Sequence, residues 1–180
     1  MTHIRASKHL SPYNMIPVTL IMAITSDGKI AKDRDHFANW TSKEDKQIFI
    51  QTSKDFGMIM MGLNTFKTFP SPLKDRLNVV FSEKNEKELE GVKWVNGEPE
   101  KVLEDLEKMD FKKALLGGGT GLNTLFLQKK LINEIILTVE PKIFGSGLSL
   151  FNDDFDINLE LLELKPINKN SYMVRYKVVY

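Results

Sequence analysis

The stretch at 113–126, KALLGGGTGLNTLF, sets a short apolar run against three consecutive glycines, a threonine and a fourth glycine, and leads into a helix-like segment. Glycine lacks a Cβ, so backbone or ligand can approach it closely and a positive φ costs little. A strand, a glycine turn and a helix in that order form the repeating unit of an α/β fold. The turn has two readings. Bare N–H groups at a helix N-terminus offer partial positive charge to an anion. Alternatively, the turn only lets the helix pack closely on the sheet.

Two glycine motifs are excluded by spacing. A dinucleotide fingerprint needs G-x-G-x-x-G/A early in the chain; Gly117 and Gly119 fit, but the third position is Leu122 and four strands precede the loop. A P-loop needs a Lys after its last glycine, and none follows.

Working outward, the periodicity predicts strands at 17–25, 57–62, 77–82, 92–95, 112–116, 133–140, 158–167 and 171–180, and helices at 42–53, 64–69, 98–109 and 121–131. Ser42 is the expected N-cap of the first helix, with Asp45 three residues on, close to a capping box. Pro70 and Pro72 stop the second helix, and Pro99 opens the third. Strand–helix alternation implies parallel crossovers, and the last two strands, with no helix between them, an antiparallel edge. The expected fold class is α/β: one domain over 16–180, a mostly parallel eight-stranded sheet with an antiparallel C-terminal edge and four flanking helices. Residues 1–15 read as a polar N-terminal extension.

Composition bounds the function. The 180 residues carry 25 basic and 24 acidic side chains, a net charge of +1, which argues against a nucleic-acid or membrane-surface binder. With no cysteine, disulfides and thiolate chemistry are excluded, and a reducing cytoplasm is compatible. His3, His9 and His36 have no ligand spacing, so no metal site is expected. The run MIPVTLIMAI at 15–24 is too short to span a bilayer and reads as a buried strand rather than a signal segment.

Five segments then matter together: NWTSKEDKQIF (39–49), MMGLNTFKTFP (60–70), PLKDRLNVVFS (72–82), LLGGGTG (115–121) and IILTVE (135–140). In this order and spacing they resemble dihydrofolate reductase over roughly 17–145. The resemblance implies reduction of 7,8-dihydrofolate to tetrahydrofolate by NADPH, NADH not being excluded, in a cytoplasmic monomer or homodimer acting on a small molecule.

The resemblance assigns roles by position. Trp40, Asp45 and Phe49 match the family's spacing around its active-site carboxylate. Independently of the family, residues i and i+4 share a helix face, so Asp45 and Phe49 can line one pocket. A carboxylate accepts two parallel N–H bonds from a 2-aminopyrimidine edge, and an aromatic ring packs on the bicycle's flat face. Asp45 also has a plain alternative as the N3 residue of the Ser42 cap. Glu44, about 100° around the helix, should face elsewhere. Thr138 matches the threonine that supports the carboxylate, and Trp40, Asp45 and Thr138 form the expected catalytic group. Ala23, Phe49, Arg76 and Leu116 are the expected substrate contacts, with Arg76 gripping a carboxylate of the substrate's tail. The expected cofactor contacts are Ala23, Ile30, Gly62, Asn64, Thr65, Ser82, Lys84, Gly117, Gly118, Gly119 and Thr120. The family's cis glycine–glycine peptide would join Gly117 to Gly118.

Two departures shape the expectation. Leu63 and Glu83 stand where some members carry basic residues for the 2′-phosphate of NADPH. TSDGKIA (25–31) and PKIFGSGLSLF (141–151) look more like the reductase domain of riboflavin biosynthesis, which reduces a ribosylaminopyrimidinone phosphate; there Lys29 would meet a substrate phosphate. A ligand-binding module without catalysis is the third reading. The loop 26–39 is expected to act as a lid over the site.

Overall fold

Strands such as VTLIMAIT and MIMMG are apolar at successive positions, the composition of strands covered on both faces. The computed structural model describes residues 15–37, 39–84 and 86–180. The elements run β1 (Val18–Thr25), β2 (Lys29–Ala31), α1 (Lys43–Phe56), β3 (Met58–Gly62), α2 (Leu63–Phe66), β4 (Leu77–Phe81), β5 (Val92–Val95), α3 (Pro99–Lys108), β6 (Ala114–Leu116), α4 (Thr120–Gln128), β7 (Ile132–Glu140), β8 (Leu148–Ser149), β9 (Asn158–Pro166) and β10 (Tyr172–Val179).

Eight strands form one sheet in the order β5-β4-β3-β6-β1-β7-β10-β9. Pairs from β5 to β7 are parallel, while β10 runs antiparallel to both β7 and β9. Alternate residues supply two apolar layers. Val18, Leu20, Met58 and Met60 pack with Val102, Leu103 and Leu106 of α3 and Phe126 of α4. Ile21, Ile59, Met61, Val80 and Leu115 pack on the other face against Ile48, Phe49 and Phe56 of α1 and Phe66 of α2. The chain switches direction about β1 and β6, so the carboxyl ends of β1, β3 and β6 open onto the crevice where α/β sheets bind ligands. Among the described residues no helix is long and apolar enough to cross a membrane.

The eight expected strands and four helices are all present, with corrected ends. Gly57, read as the start of a strand, is the left-handed cap of α1: its φ is 70° and its N–H donates to Lys54 O at 2.9 Å. The last helix stops at Gln128 rather than 131. Lys130 has φ 56°, and the bonds Lys130 N→Leu127 O and Leu131 N→Phe126 O close a Schellman turn without glycine. The second helix is one turn, Leu63–Phe66, followed by tight turns through Phe69. The 1–15 extension, with His3 and His9, lies outside the described residues except for Met15, which packs on the core.

The loop 26–39, expected as a lid, carries a short strand of its own. Its β2 pairs antiparallel with β8 in a second, two-stranded sheet. Asp27 accepts from the N–H groups of Phe144 (3.2 Å) and Gly145 (2.8 Å). Phe144 meets Trp40 and His36 edge-on, at centroid distances of 5.0 and 5.3 Å. The two loops that bracket the crevice are therefore joined to each other.

Candidate active site

Asp45 stands in the first turn of α1, the helix that leads from the β1 side of the crevice toward β3. Ser42 caps this helix, accepting the Asp45 N–H on its hydroxyl at 3.2 Å. A reciprocal capping box would return the Asp45 carboxylate to the Ser42 N–H. That N–H goes instead to Glu140 Oε1, at 2.8 Å. The hydroxyls of Thr41 and Thr138 stand beside the Asp45 carboxylate and favour its charged form. Asp45 is thus the N3 residue of the Ser42 cap through its N–H, while its carboxylate is left out of the cap. Glu44 faces away as expected, receiving Asn168 Nδ2 at 3.2 Å.

Burial raises the Asp45 carboxyl above its ordinary value. The Thr41 and Thr138 hydroxyls oppose that rise, the negative charge of Glu140 adds to it, and Lys46 opposes it. Thr138 is buried on β7, in register with Ala23 on β1, so two expected site residues are neighbours across the sheet. Phe49 lies one turn beyond Asp45 and stacks with Phe69 at 6.1 Å and 11°. The pair makes a flat apolar wall beside the carboxylate, and Phe69 was not anticipated.

Arg76 donates Nε to Lys74 O at 2.9 Å and Nη1 to Ser53 Oγ and, at 3.4 Å, to Ile50 O. These bonds anchor the guanidinium to α1 by one edge; the Nη2 edge is the one left to meet a carboxylate. Burial lowers its pKa somewhat, with Asp75 opposing, and leaves it cationic. Trp40 packs on Phe144. Leu116 departs from its expected role: its side chain is fully buried in the core, in register with Leu20 and Met60, so only its main chain can face a ligand.

The glycine turn closes the other side. Gly117 N donates to Met60 O and Gly62 N to Gly118 O, both at 2.8 Å, which fastens the turn to the end of β3. The cis peptide joins Gly118 to Gly119, one residue later than expected from the resemblance. A Cβ on Gly118, whose φ is +95°, would stand 2.9 Å from Met22 Sδ, and one on Gly119 3.1 Å from Thr65 Oγ1. Gly119 caps α4 without a side-chain bond, which leaves first-turn N–H groups for an anion. Thr120 contributes no hydroxyl proton there, because its Oγ1 donates to Ser149 O at 2.7 Å.

Beside this turn lies a cleft of about 280 Å³ lined by Gly62, Ser82, Glu83, Asn96 and Gly121 among others. Ser82 is buried and engaged with Lys84 and the Glu86 carboxylate. Lys84 and Asn64 are exposed. A second cleft of about 360 Å³ lies between Arg34, Asp35 and Phe37 and residues Asn64, Lys67 and Thr68. Ile30 sits in β2, and Lys29 Nζ donates to Ser149 Oγ at 2.9 Å.

Comparisons with known proteins agree with this geometry. The pattern of the RibD C-terminal domain family matches residues 17–172. A dihydrofolate reductase of Ureaplasma parvum serovar 3 is 32% identical over 142 residues, 78% of this chain and 86% of the relative. Among solved structures, RibD of Acinetobacter baumannii superposes with a TM-score of 0.77 at 20% identity, over 92% of this chain and 59% of that one. The dihydrofolate reductase of Enterococcus faecalis, complexed with NADP(H), superposes with a TM-score of 0.73 at 17% identity, over 90% of this chain and 96% of that one. The chain belongs to the RibD C-terminal domain family, on the fold it shares with dihydrofolate reductase, and it is a reductase.

Proposed function

We propose that this reductase converts 7,8-dihydrofolate to tetrahydrofolate, with NADPH as the donor and NADH as the competing one. The observation that carries the reading is the release of the Asp45 carboxylate from its own helix cap. It is supported by two threonine hydroxyls beside the stacked rings of Phe49 and Phe69. A half-buried carboxylate against a flat apolar wall suits a 2-aminopyrimidine ring, and Arg76 on the far side of α1 suits an acidic tail.

The residues present fit a dinucleotide. The Gly117–Gly118–Gly119 turn admits no side chain at Gly118 without meeting Met22, and the uncapped start of α4 suits a pyrophosphate. Thr65, in the short helix α2 that follows β3, stands against Gly119 and would hold the same group. A reduced nicotinamide, when bound, supplies the hydride. Asp45 then does the protein's part: it orients the pterin ring and, with its pKa raised by burial, favours a proton at the pterin N5 side. The Phe49 and Phe69 wall excludes water, and Ala23 keeps the floor of the pocket small enough for two rings to meet. The carboxylates Glu83 and Glu86 near Ser82 weaken the case for a 2′-phosphate, which is why NADH is kept as the competing donor.

The family match favours a second reading, reduction of a ribosylaminopyrimidinone phosphate, with Lys29 beside Ser149 as its anion contact. The test is oxidation of NADPH and NADH with each substrate. Turnover of dihydrofolate that falls in Asp45→Asn supports the first reading; turnover of the phosphate alone, lost in Lys29→Ala, replaces it with the second.

A further inference from the structure

Glu140 ends β7 and is 3% exposed, yet it is a carboxylate. Burying an ion costs several kcal/mol unless hydrogen bonds replace its water. Here three donors do so: Ser42 N at 2.8 Å and Ser42 Oγ at 2.6 Å on Oε1, and Ser171 Oγ at 2.7 Å on Oε2. Two of the three belong to the N-cap of the helix that carries Asp45.

The chemistry of a capping box explains what this achieves. The box has two halves: the cap hydroxyl accepts the N3 N–H, and the N3 carboxylate accepts the cap N–H. Asp45 occupies N3 and closes the first half. Glu140, from a strand 98 residues further on, closes the second. We propose that Glu140 is the positioning residue of this site: it replaces Asp45 as partner of the Ser42 N–H and so releases the Asp45 carboxylate into the pocket. The inference rests on the reading of Asp45 given above, and nothing in the comparisons assigns a role to Glu140.

Electrostatics act in the same direction. The charged groups nearest the Ser42 cap and Glu140 along the chain are Lys43, Glu44, Asp45 and Lys46 in the first turns of α1 and Lys142 just past β7, with Lys169 in the turn before β10 and Asp27 after β1; Lys54 and Asp55 lie at the far end of α1, and Glu134, Arg175 and Lys177 are the other charges of β7 and β10. Burial raises the Glu140 carboxyl, but the bonds from Ser42 and Ser171 and the charge of Lys142 outweigh burial and hold it below its ordinary value. Glu140 therefore stays ionised while its charge adds to the rise at Asp45. The two environments push the carboxyls apart: Glu140 is held toward its charged form and Asp45 toward its protonated one.

The test is a carboxyl ¹³C NMR titration of the ligand-free enzyme, paired with the pH profile of kcat. In the wild type, Glu140 should titrate below 4.5 and Asp45 above 3.8. Glu140→Gln keeps an acceptor for the Ser42 N–H but removes the charge. Its Asp45 midpoint should move down, the kcat midpoint should move with it, and the KM for cofactor should stay unchanged. Glu140→Ala removes both functions, and kcat should fall by roughly 10- to 100-fold; Glu140→Gln should recover most of that loss. An Asp45 midpoint unmoved in Glu140→Gln overturns the proposal. So does a wild-type titration in which Glu140 titrates above its ordinary 4.5, a result that needs no variant to fold. The titration uses no substrate. A shifted midpoint without dihydrofolate turnover refutes the folate reading alone; turnover with an unmoved midpoint refutes the positioning role alone.

Discussion

The carboxylate of Asp45 and the hydroxyl of Thr138 meet across the gap between α1 and β7. A helix carboxylate and a strand hydroxyl thereby face each other at the mouth of the parallel sheet. Thr138 is buried and cannot turn to solvent, so Asp45 is held by a rigid partner rather than by a loop.

Replacing Asp45 by Asn keeps the shape and removes the charge. Turnover should fall by about 10²-fold or more, the range expected for loss of a positioned acid–base group, while the Kd for NADPH, measured by fluorescence quenching, stays within about twofold of wild type, as expected where no binding contact is lost. The folded state raises the Asp45 pKa, so its ionisation costs stability as pH rises through the folded value. Asp45→Asn should therefore melt no lower, and at neutral pH slightly higher, than wild type.

The pH dependence of stability has an acid limb from Glu140. Its folded pKa is depressed, so its contribution is fully present above its ordinary 4.5 and is lost as pH falls through the folded value. Urea midpoints followed below pH 4.5 should drop steeply in wild type and more gently in Glu140→Gln.

Arg76 should show as a binding residue. Arg76→Ala should raise the KM for dihydrofolate by about 10- to 100-fold, the worth of a charge-assisted pair, with kcat changed far less. Because Arg76 also braces Ser53 and the Lys74 carbonyl, its melting temperature should fall as well. Equal loss of kcat and of kcat/KM, with an unchanged KM, would place Arg76 elsewhere in the mechanism.

Gly118 and Gly121 separate ligand cradle from helix. Alanine at Gly118 meets Met22 at a positive φ and should cost roughly 1–3 kcal/mol, weakening cofactor binding at the same time. Alanine at Gly121, in α4 with open space about its Cβ position, should be neutral or stabilise by about 0.5 kcal/mol. Thermal melts of both variants with and without NADPH make the comparison.

Much of this was legible from the chain alone, for identifiable reasons. The strands of the main sheet are long apolar runs bounded by breakers, and the Asp45–Phe49 spacing places both on one helix face. The small sheet of β2 and β8 was not legible, because three and two residues carry no period. The end of α4 was missed because Lys130, not glycine, takes the left-handed turn. The cis peptide fell one residue off because three identical glycines give no local cue to register. Glu140 was invisible as a partner: at the end of an alternating strand it reads as one more polar residue, and its contact with Ser42 is purely tertiary.

The most direct test of the central claim is the fall in nicotinamide absorbance when dihydrofolate is added to the purified enzyme, with NADPH and NADH in parallel and Asp45→Asn beside wild type. Oxidation of at least one donor should require dihydrofolate and be lost in Asp45→Asn. Oxidation of neither donor with dihydrofolate, by an enzyme that turns over the ribosylaminopyrimidinone phosphate, would contradict it.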